Sequence, residues 1–182
     1  MNVFVAFGIL SIPILMISWR SIVVPGSHGF FRFMGWECIL WLSLNNVKVW
    51  FRDPFSIPQI VSWIFLFISA YMVIYGVVMI KGKGKPGKRS GGQGLYRFEK
   101  TTELIDTGIY RYIRHPLYSS LLFLTWGILL KNITISLTTV AILSSMFLYL
   151  TARSDEKECI QYFGENYTEY MNRTRMFIPW IF

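Results

Sequence analysis

The sequence predicts an all-α integral membrane protein with about five transmembrane helices, and three observations carry that prediction. Of its 182 residues 53% are hydrophobic and only 15% charged, so a water-soluble domain would expose far more apolar surface than is normal. Residues 3–19, 60–80 and 133–152 carry no formal charge, and the last two reach the roughly 20 residues that cross a hydrocarbon core of about 30 Å. Positive residues gather directly after one of these runs, at Lys81, Lys83, Lys85, Lys88 and Arg89, where a basic cluster fixes topology and touches anionic lipid. That location, more than the net charge of +8, makes membrane lipid the expected partner and excludes nucleic acid.

The first helix is expected over residues 3–24, ending before Pro25-Gly26. It lacks the basic start and small-x-small cleavage site of a signal peptide, so it reads as a helix of the mature protein. A second helix is expected over residues 33–51, interrupted by Glu37, Asn45, Asn46 and Lys48. Such intramembrane polar groups are candidates to line a substrate path. Asp53-Pro54 and Pro58 punctuate a turn, and a third helix follows to residue 80. Residues 81–95 form a Gly- and Lys-rich linker; it departs from a phosphate-binding loop because Arg89 stands where Ser or Thr is required and no strand precedes it.

Pro116 fits the first turn of a fourth helix, where its missing N–H costs nothing. That helix is short: 14 residues from 117 to 130 rise only about 21 Å. Lys131-Asn132 permits only a tight turn into the fifth helix, giving an antiparallel hairpin. A separate amphipathic helix is expected over residues 154–171, with Asp155, Glu156 and Glu158 in its first turns. By the positive-inside rule the 81–115 connector and the C-terminal tail are cytoplasmic. The organisation expected is one membrane domain over 1–182: three helices to residue 80, a linker and connector over 81–115, a hairpin over 116–152, and a C-terminal helix and tail over 153–182. Cys38 and Cys159 suggest no disulfide framework. His28 and His115 have no zinc-ligand spacing around them, so no metal is expected. The Asn132, Asn166 and Asn172 sequons are assigned no role, and nothing in the sequence sets an oligomeric state.

This topology brings residues 102–118 and 151–163 to the same face. Arg111, Arg114 and His115 then meet Asp155, Glu156 and Glu158, with Arg153 among the acids. Interfacial ion pairs are one reading. Against it stands the density of Tyr110, Tyr112 and Tyr118, whose ring faces suit an adenine or a sulfonium cation.

The two-part pattern, Leu104-Ile-Asp-Thr-Gly-Ile-Tyr-Arg-Tyr-Ile-Arg-His-Pro-Leu-Tyr118 and Asp155-Glu-Lys-Glu-Cys-Ile-Gln-Tyr-Phe-Gly-Glu-Asn-Tyr-Thr-Glu-Tyr170, resembles the isoprenylcysteine carboxyl methyltransferase family, which shades into the phospholipid N-methyltransferases. The resemblance covers about residues 95–180. It implies a helical membrane enzyme using S-adenosylmethionine, with S-adenosylhomocysteine as product, acting on a lipid-like or other hydrophobic acceptor that enters from the lipid side. Carried over by position, the cofactor residues are Thr102, Glu103, Leu104, Ile105, Tyr110, Arg114, His115, Pro116, Tyr118 and Asp155, and those nearest the chemistry are Arg153 and Glu156. Two departures matter: Thr151 stands where the family usually has an arginine thought to meet a carboxylate substrate, and Asp155 replaces a glutamate. The resemblance therefore carries cofactor binding further than it carries a carboxylate acceptor. The rivals are an NADPH-dependent membrane sterol or enone reductase, whose Asn-Tyr after Arg-His is Pro116-Leu117-Tyr118 here, and a non-catalytic scaffold, which would bind no cofactor.

Overall fold

A computed structural model describes residues 2–83 and 103–181. Within them the chain forms six α-helices: α1 (Val3–Ile22), α2 (His28–Asn46), α3 (Ile57–Lys83), α4 (Pro116–Leu129), α5 (Ile135–Phe163) and α6 (Glu165–Arg173). No strand occurs among the described residues, only an isolated parallel bridge between Ile113 and Arg175. Three of the helices, Val3–Ile22, Ile57–Gly82 and Ile135–Phe163, are long and apolar enough to cross a membrane. The fold is thus all-α and built around membrane helices, as the composition demands.

The second helix starts earlier than its sequence suggests. Ser27 caps it by accepting from the Phe30 N–H at 3.2 Å, so the chain turns directly after Pro25-Gly26 and helix begins at His28 rather than at residue 33. Apart from Gly29 in its first turn, its buried residues His28, Arg32, Gly35, Ile39, Leu42 and Asn46 are spaced four and three alternately, the 3.5-residue repeat of helices packed along their length. On α5, Leu137, Ala141, Ser144, Leu148 and Thr151 repeat that spacing and meet the α2 stripe. Two of the polar residues that interrupt α2 are partly satisfied there: Asn46 Nδ2 donates to the Leu42 carbonyl, and Glu37 accepts from Ser11 Oγ of α1 at 2.6 Å, while Asn46 Oδ1 and Glu37 Oε1 are buried without a partner among the described residues. The small residues Ala6, Ser11, Ser18 and Ser21 are the buried face of α1, and they let it approach α2 closely.

Helices α3 and α4 run antiparallel, joined by Ser62 Oγ to the Gly127 carbonyl and Ser69 Oγ to the Ser120 carbonyl. Their far end is closed by Lys131, whose ammonium donates to Gln59 and lies 3.8 Å from the Trp63 ring centroid. A lysine in the tight turn after α4 is thus buried in aromatic and amide contacts that fix the hairpin against the start of α3.

The largest departure from expectation lies at the C-terminus. No separate helix begins at residue 154; α5 continues unbroken for 29 residues to Phe163, because nothing between Ala152 and Phe163 disfavours helix. At 1.5 Å per residue it is about 43 Å long, more than a hydrocarbon core of about 30 Å requires, and the excess carries the acidic residues beyond the membrane. The break falls at Gly164, with φ 61° and ψ −133°, a conformation essentially restricted to glycine. It redirects the chain into the short α6.

Candidate active site

The site forms where α3 ends, α4 begins and α5 extends past the bundle. Residues 112–115 are pinned to the chain after α6 by backbone bonds: Arg175 N–H to the Tyr112 carbonyl, Arg114 N–H to the Arg175 carbonyl, and His115 N–H to the Met176 carbonyl, at 2.8–3.2 Å. Tyr170 Oη donates to the Tyr110 carbonyl at 2.6 Å. Pro116 then opens α4, and His115 precedes it without using its side chain as a cap.

The three acids of α5 diverge, each to a different partner. Glu156, 2% exposed, accepts from Arg114 Nε at 2.8 Å, while Arg114 Nη1 donates to the carbonyls of Thr174 and Met171 at 2.6 and 3.1 Å. This guanidinium therefore ties the connector, α5 and α6 together. Glu158 turns the opposite way, to His28 Nδ1 at 2.7 Å, locking the start of α2 to α5. Asp155 faces a cleft, and Cys159 one helical turn on donates weakly toward it, Sγ to Oδ1 3.9 Å.

Nine of the sequence-predicted cofactor residues line that cleft: Glu103, Leu104, Ile105, Tyr110, Arg114, His115, Pro116, Tyr118 and Asp155. Thr102 lies outside the described residues, as do the basic residues at positions 85, 88 and 89. Of the two residues expected nearest the chemistry, Glu156 is buried against Arg114 and Arg153 is 51% exposed, reaching Glu156 Oε2 at 3.4 Å; among the described residues neither lines the cleft. Ile80, Leu117, Cys159, Phe163, Tyr167 and Tyr170 complete the lining, and most had a readable signal. Cys159 and Phe163 follow Asp155 at intervals of four, one helical face, and Tyr167 and Tyr170 are three apart on α6.

His115 is buried at the edge of the cleft. Its ring stacks on Tyr118 at 5.4 Å and 25° and sits between Asp155 Oδ2 at 3.6 Å and Glu156 Oε1 at 3.5 Å. Both contacts are too long for a good hydrogen bond, and Nε2 is buried without a partner among the described residues. A buried polar atom without a partner is costly; Nε2 lies on the Glu156 side of the ring, while Nδ1 is the nitrogen turned to Asp155 of the cleft. Burial first, and then neighbouring Cys159, Asp155 and Glu156, push the Tyr167 phenol well above its ordinary range; burial also raises Tyr170. Both are therefore neutral hydroxyls at physiological pH, donors rather than bases. The volume enclosed by described residues is about 120 Å³, below the roughly 300 Å³ at which small-molecule pockets begin, so a nucleoside-sized ligand would also fill the open mouth. Among the described residues no group of His, Cys, Asp and Glu could hold a metal ion.

A second, apolar groove of about 490 Å³ lies between α3, α4 and α5, lined chiefly by Phe65, Leu122, Phe123, Trp126, Tyr149 and Phe177. His115 and Phe177, with ring centroids 6.3 Å apart, stand between this groove and the cleft.

Residues 87–166 match the phospholipid methyltransferase family, a segment containing the connector motif and most of the acidic one. A probable protein-S-isoprenylcysteine O-methyltransferase of Oryza sativa subsp. indica is 30% identical over 123 residues, 65% of this chain and 63% of that protein. Methanethiol S-methyltransferase 1 of Bradyrhizobium diazoefficiens is 23% identical over 146 residues, 77% of this chain and 48% of the relative. A methanethiol S-methyltransferase of Pseudomonas deceptionensis is 27% identical over 71 residues, 39% of this chain and 26% of the relative. The chain thus spans less than two thirds of the length of these relatives. No solved structure matches it. The resemblance to the isoprenylcysteine carboxyl methyltransferase family and its phospholipid methyltransferase kin stands on both the family match and the named relatives.

Proposed function

We propose that this chain, similar as it is to isoprenylcysteine, phospholipid and methanethiol methyltransferases, transfers a methyl group from S-adenosylmethionine to a small hydrophobic or lipid-like acceptor at the membrane interface. The observation that carries the reading is the cleft: nine of the ten residues assigned to the cofactor from sequence line it, His115 and Asp155 among them.

The residues present fit such a cofactor. Tyr110, Tyr118 and Tyr167 offer ring faces for an adenine or a sulfonium. Asp155 offers carboxylate oxygens to ribose hydroxyls or an ammonium, and the neutral Tyr170 hydroxyl already braces the connector from which Glu103, Leu104 and Ile105 line the cleft. Bound there, S-adenosylmethionine would supply an electrophilic methyl group. The chain's own part is to align the partners and exclude water, and orientation can contribute several kcal/mol. Arg114, held through Nε by Glu156 and through Nη1 by two carbonyls, maintains the cleft's shape rather than moving a proton. The carboxylates of Glu103 and Asp155 would sit unfavourably against the phosphates of NADPH.

The apolar groove supports a hydrophobic acceptor, since it lies at the depth of α4 and is separated from the cleft by His115 and Phe177. A cytoplasmic site is supported by charge: Arg20, Arg32, Lys81, Arg111, Arg153, Arg173 and Arg175 belong to the end of the bundle that holds the cleft, against Lys48, Arg52 and Lys131 at the other. The test is a calorimetric titration of detergent-purified protein with S-adenosylhomocysteine and, separately, NADPH. Micromolar binding of the first alone is expected; binding of NADPH alone would replace this reading with a reductase, and binding of neither would leave a scaffold.

A further inference from the structure

We propose that Asp106 and Arg173 are positioning residues for the cofactor: their ion pair fastens residues 103–107 over the cleft. The proposal rests on the reading of that cleft as the cofactor's site.

The connector has two parts held in different ways. Residues 110–115 are fixed by backbone hydrogen bonds to residues 175 and 176 and by Tyr170 Oη on the Tyr110 carbonyl. The part before them is a thin wall. Glu103, Leu104 and Ile105 line the cleft on one side. Asp106 and Thr107 border a second cavity of about 550 Å³ on the other, together with Arg111, Tyr170 and Arg173. A wall with a cavity on its outer side depends on side-chain fastenings for its place.

Two such fastenings are side chains. Leu104 packs against the cluster of Cys159, Tyr167 and Tyr170, and Asp106 Oδ2 accepts from Arg173 Nη2 at 2.7 Å. Arg173 is the last residue of α6, and its guanidinium also lies 5.9 Å from the centroid of Tyr170, itself a cleft residue. One side chain therefore joins the wall to the helix that closes the cleft. Between the fixed and fastened parts stands Gly108, with φ +62° and its α-carbon so close to α3 that an added Cβ would meet Met79 Cε at 2.8 Å. The wall leaves the fixed chain at the residue with the widest backbone freedom. Because the pair is exposed, 61% and 41%, its effect on global stability is small, whereas its effect on how often the wall stands open is read directly by a ligand beneath it.

The experiment uses the full chain in detergent with Asp106→Asn, Arg173→Gln and the exchanged pair Asp106→Arg with Arg173→Asp. Two quantities are read: the dissociation rate of S-adenosylhomocysteine, and hydrogen exchange at the amides of residues 104–107 without ligand. Each single variant is expected to release ligand severalfold faster and to exchange faster over 104–107 while α5 amides are unchanged, and the exchanged pair to restore both. Unchanged release and exchange in the single variants, or an exchanged pair no better than either, would overturn the proposal. If the unaltered chain binds no S-adenosylhomocysteine, the functional reading fails, and hydrogen exchange alone still decides whether this pair holds the wall.

Discussion

Adjacent carboxylates on α5 separate structure from binding. Glu156 is 2% exposed and paired with Arg114, whose side chain is 9% exposed. Removing one partner of such a pair leaves the other charge buried and uncompensated, at a cost of about 3–5 kcal/mol. Glu156→Ala should therefore lower the melting temperature in detergent markedly, with cofactor affinity falling as a consequence; a variant that melts normally would remove the structural role assigned to Glu156. Asp155 is less buried, has no lysine or arginine paired with it among the described residues and faces the cleft beside His115. Asp155→Asn should leave melting nearly unchanged while weakening S-adenosylhomocysteine by about tenfold or more, the loss of one charge-assisted hydrogen bond. Equal affinity in calorimetry would take Asp155 out of the binding site. The sequence placed these two residues side by side as an acidic pair; only the helical phase of α5, set by where that helix began twenty residues earlier, assigns one to Arg114 and the other to the cleft.

At the scale of elements, what was legible followed from uninterrupted patterns. The uncharged runs of α1, α3 and α5 and the Pro116 start of α4 could be read directly, since burial in lipid permits few other sequences. The start of α2 could not, because its interior is marked by a 3.5-residue stripe of mixed polarity, in which His28 and Asn46 are as buried as Leu42 and Arg32 nearly so. The end of α5 was missed for another reason: leaving the membrane changes composition without changing the backbone, so a shift to polar residues at Arg153 looked like a boundary. The short α4 carries a geometric consequence. Leu117 touches the position of Gly76 on α3, which is five residues before Lys81, or about 8 Å along a helix axis. A spin label at residue 117 in lipid vesicles should thus report a depth near the headgroups on the Lys81 side. A label at the bilayer midplane, about 15 Å from either surface of the core, would mean that α4 is displaced along α3 from its position here.

For the whole molecule, orientation decides whether the cleft can meet the methyl donor proposed for it. The bundle sorts its cations by end, and Lys81, Arg111, Arg153, Arg173 and Arg175 gather around the cleft while Lys48, Arg52 and Lys131 stand opposite. Of these last, Lys131 is buried against Trp63 and Gln59, so the exposed positive charge on that side is smaller still. Positive residues within about 15–20 residues of helix ends are retained on the cytoplasmic side during insertion, and each of the cations named lies within that distance of a helix end. The molecule should therefore insert with the cleft inward. A cysteine introduced at Arg52, whose side chain is 74% exposed, should react in intact cells with a membrane-impermeant maleimide, whereas one at Lys157, exposed on the extension of α5, should react only after permeabilisation. Cys38 is half-buried and Cys159 buried, so the unaltered chain supplies the background. The reverse pattern would put Asp155, His115 and the tyrosines of the cleft outside the cell, away from a cytosolic methyl donor. It would make the charge at the cleft end a matter of local pairing, as in Arg114 with Glu156 and Arg173 with Asp106, rather than of topology.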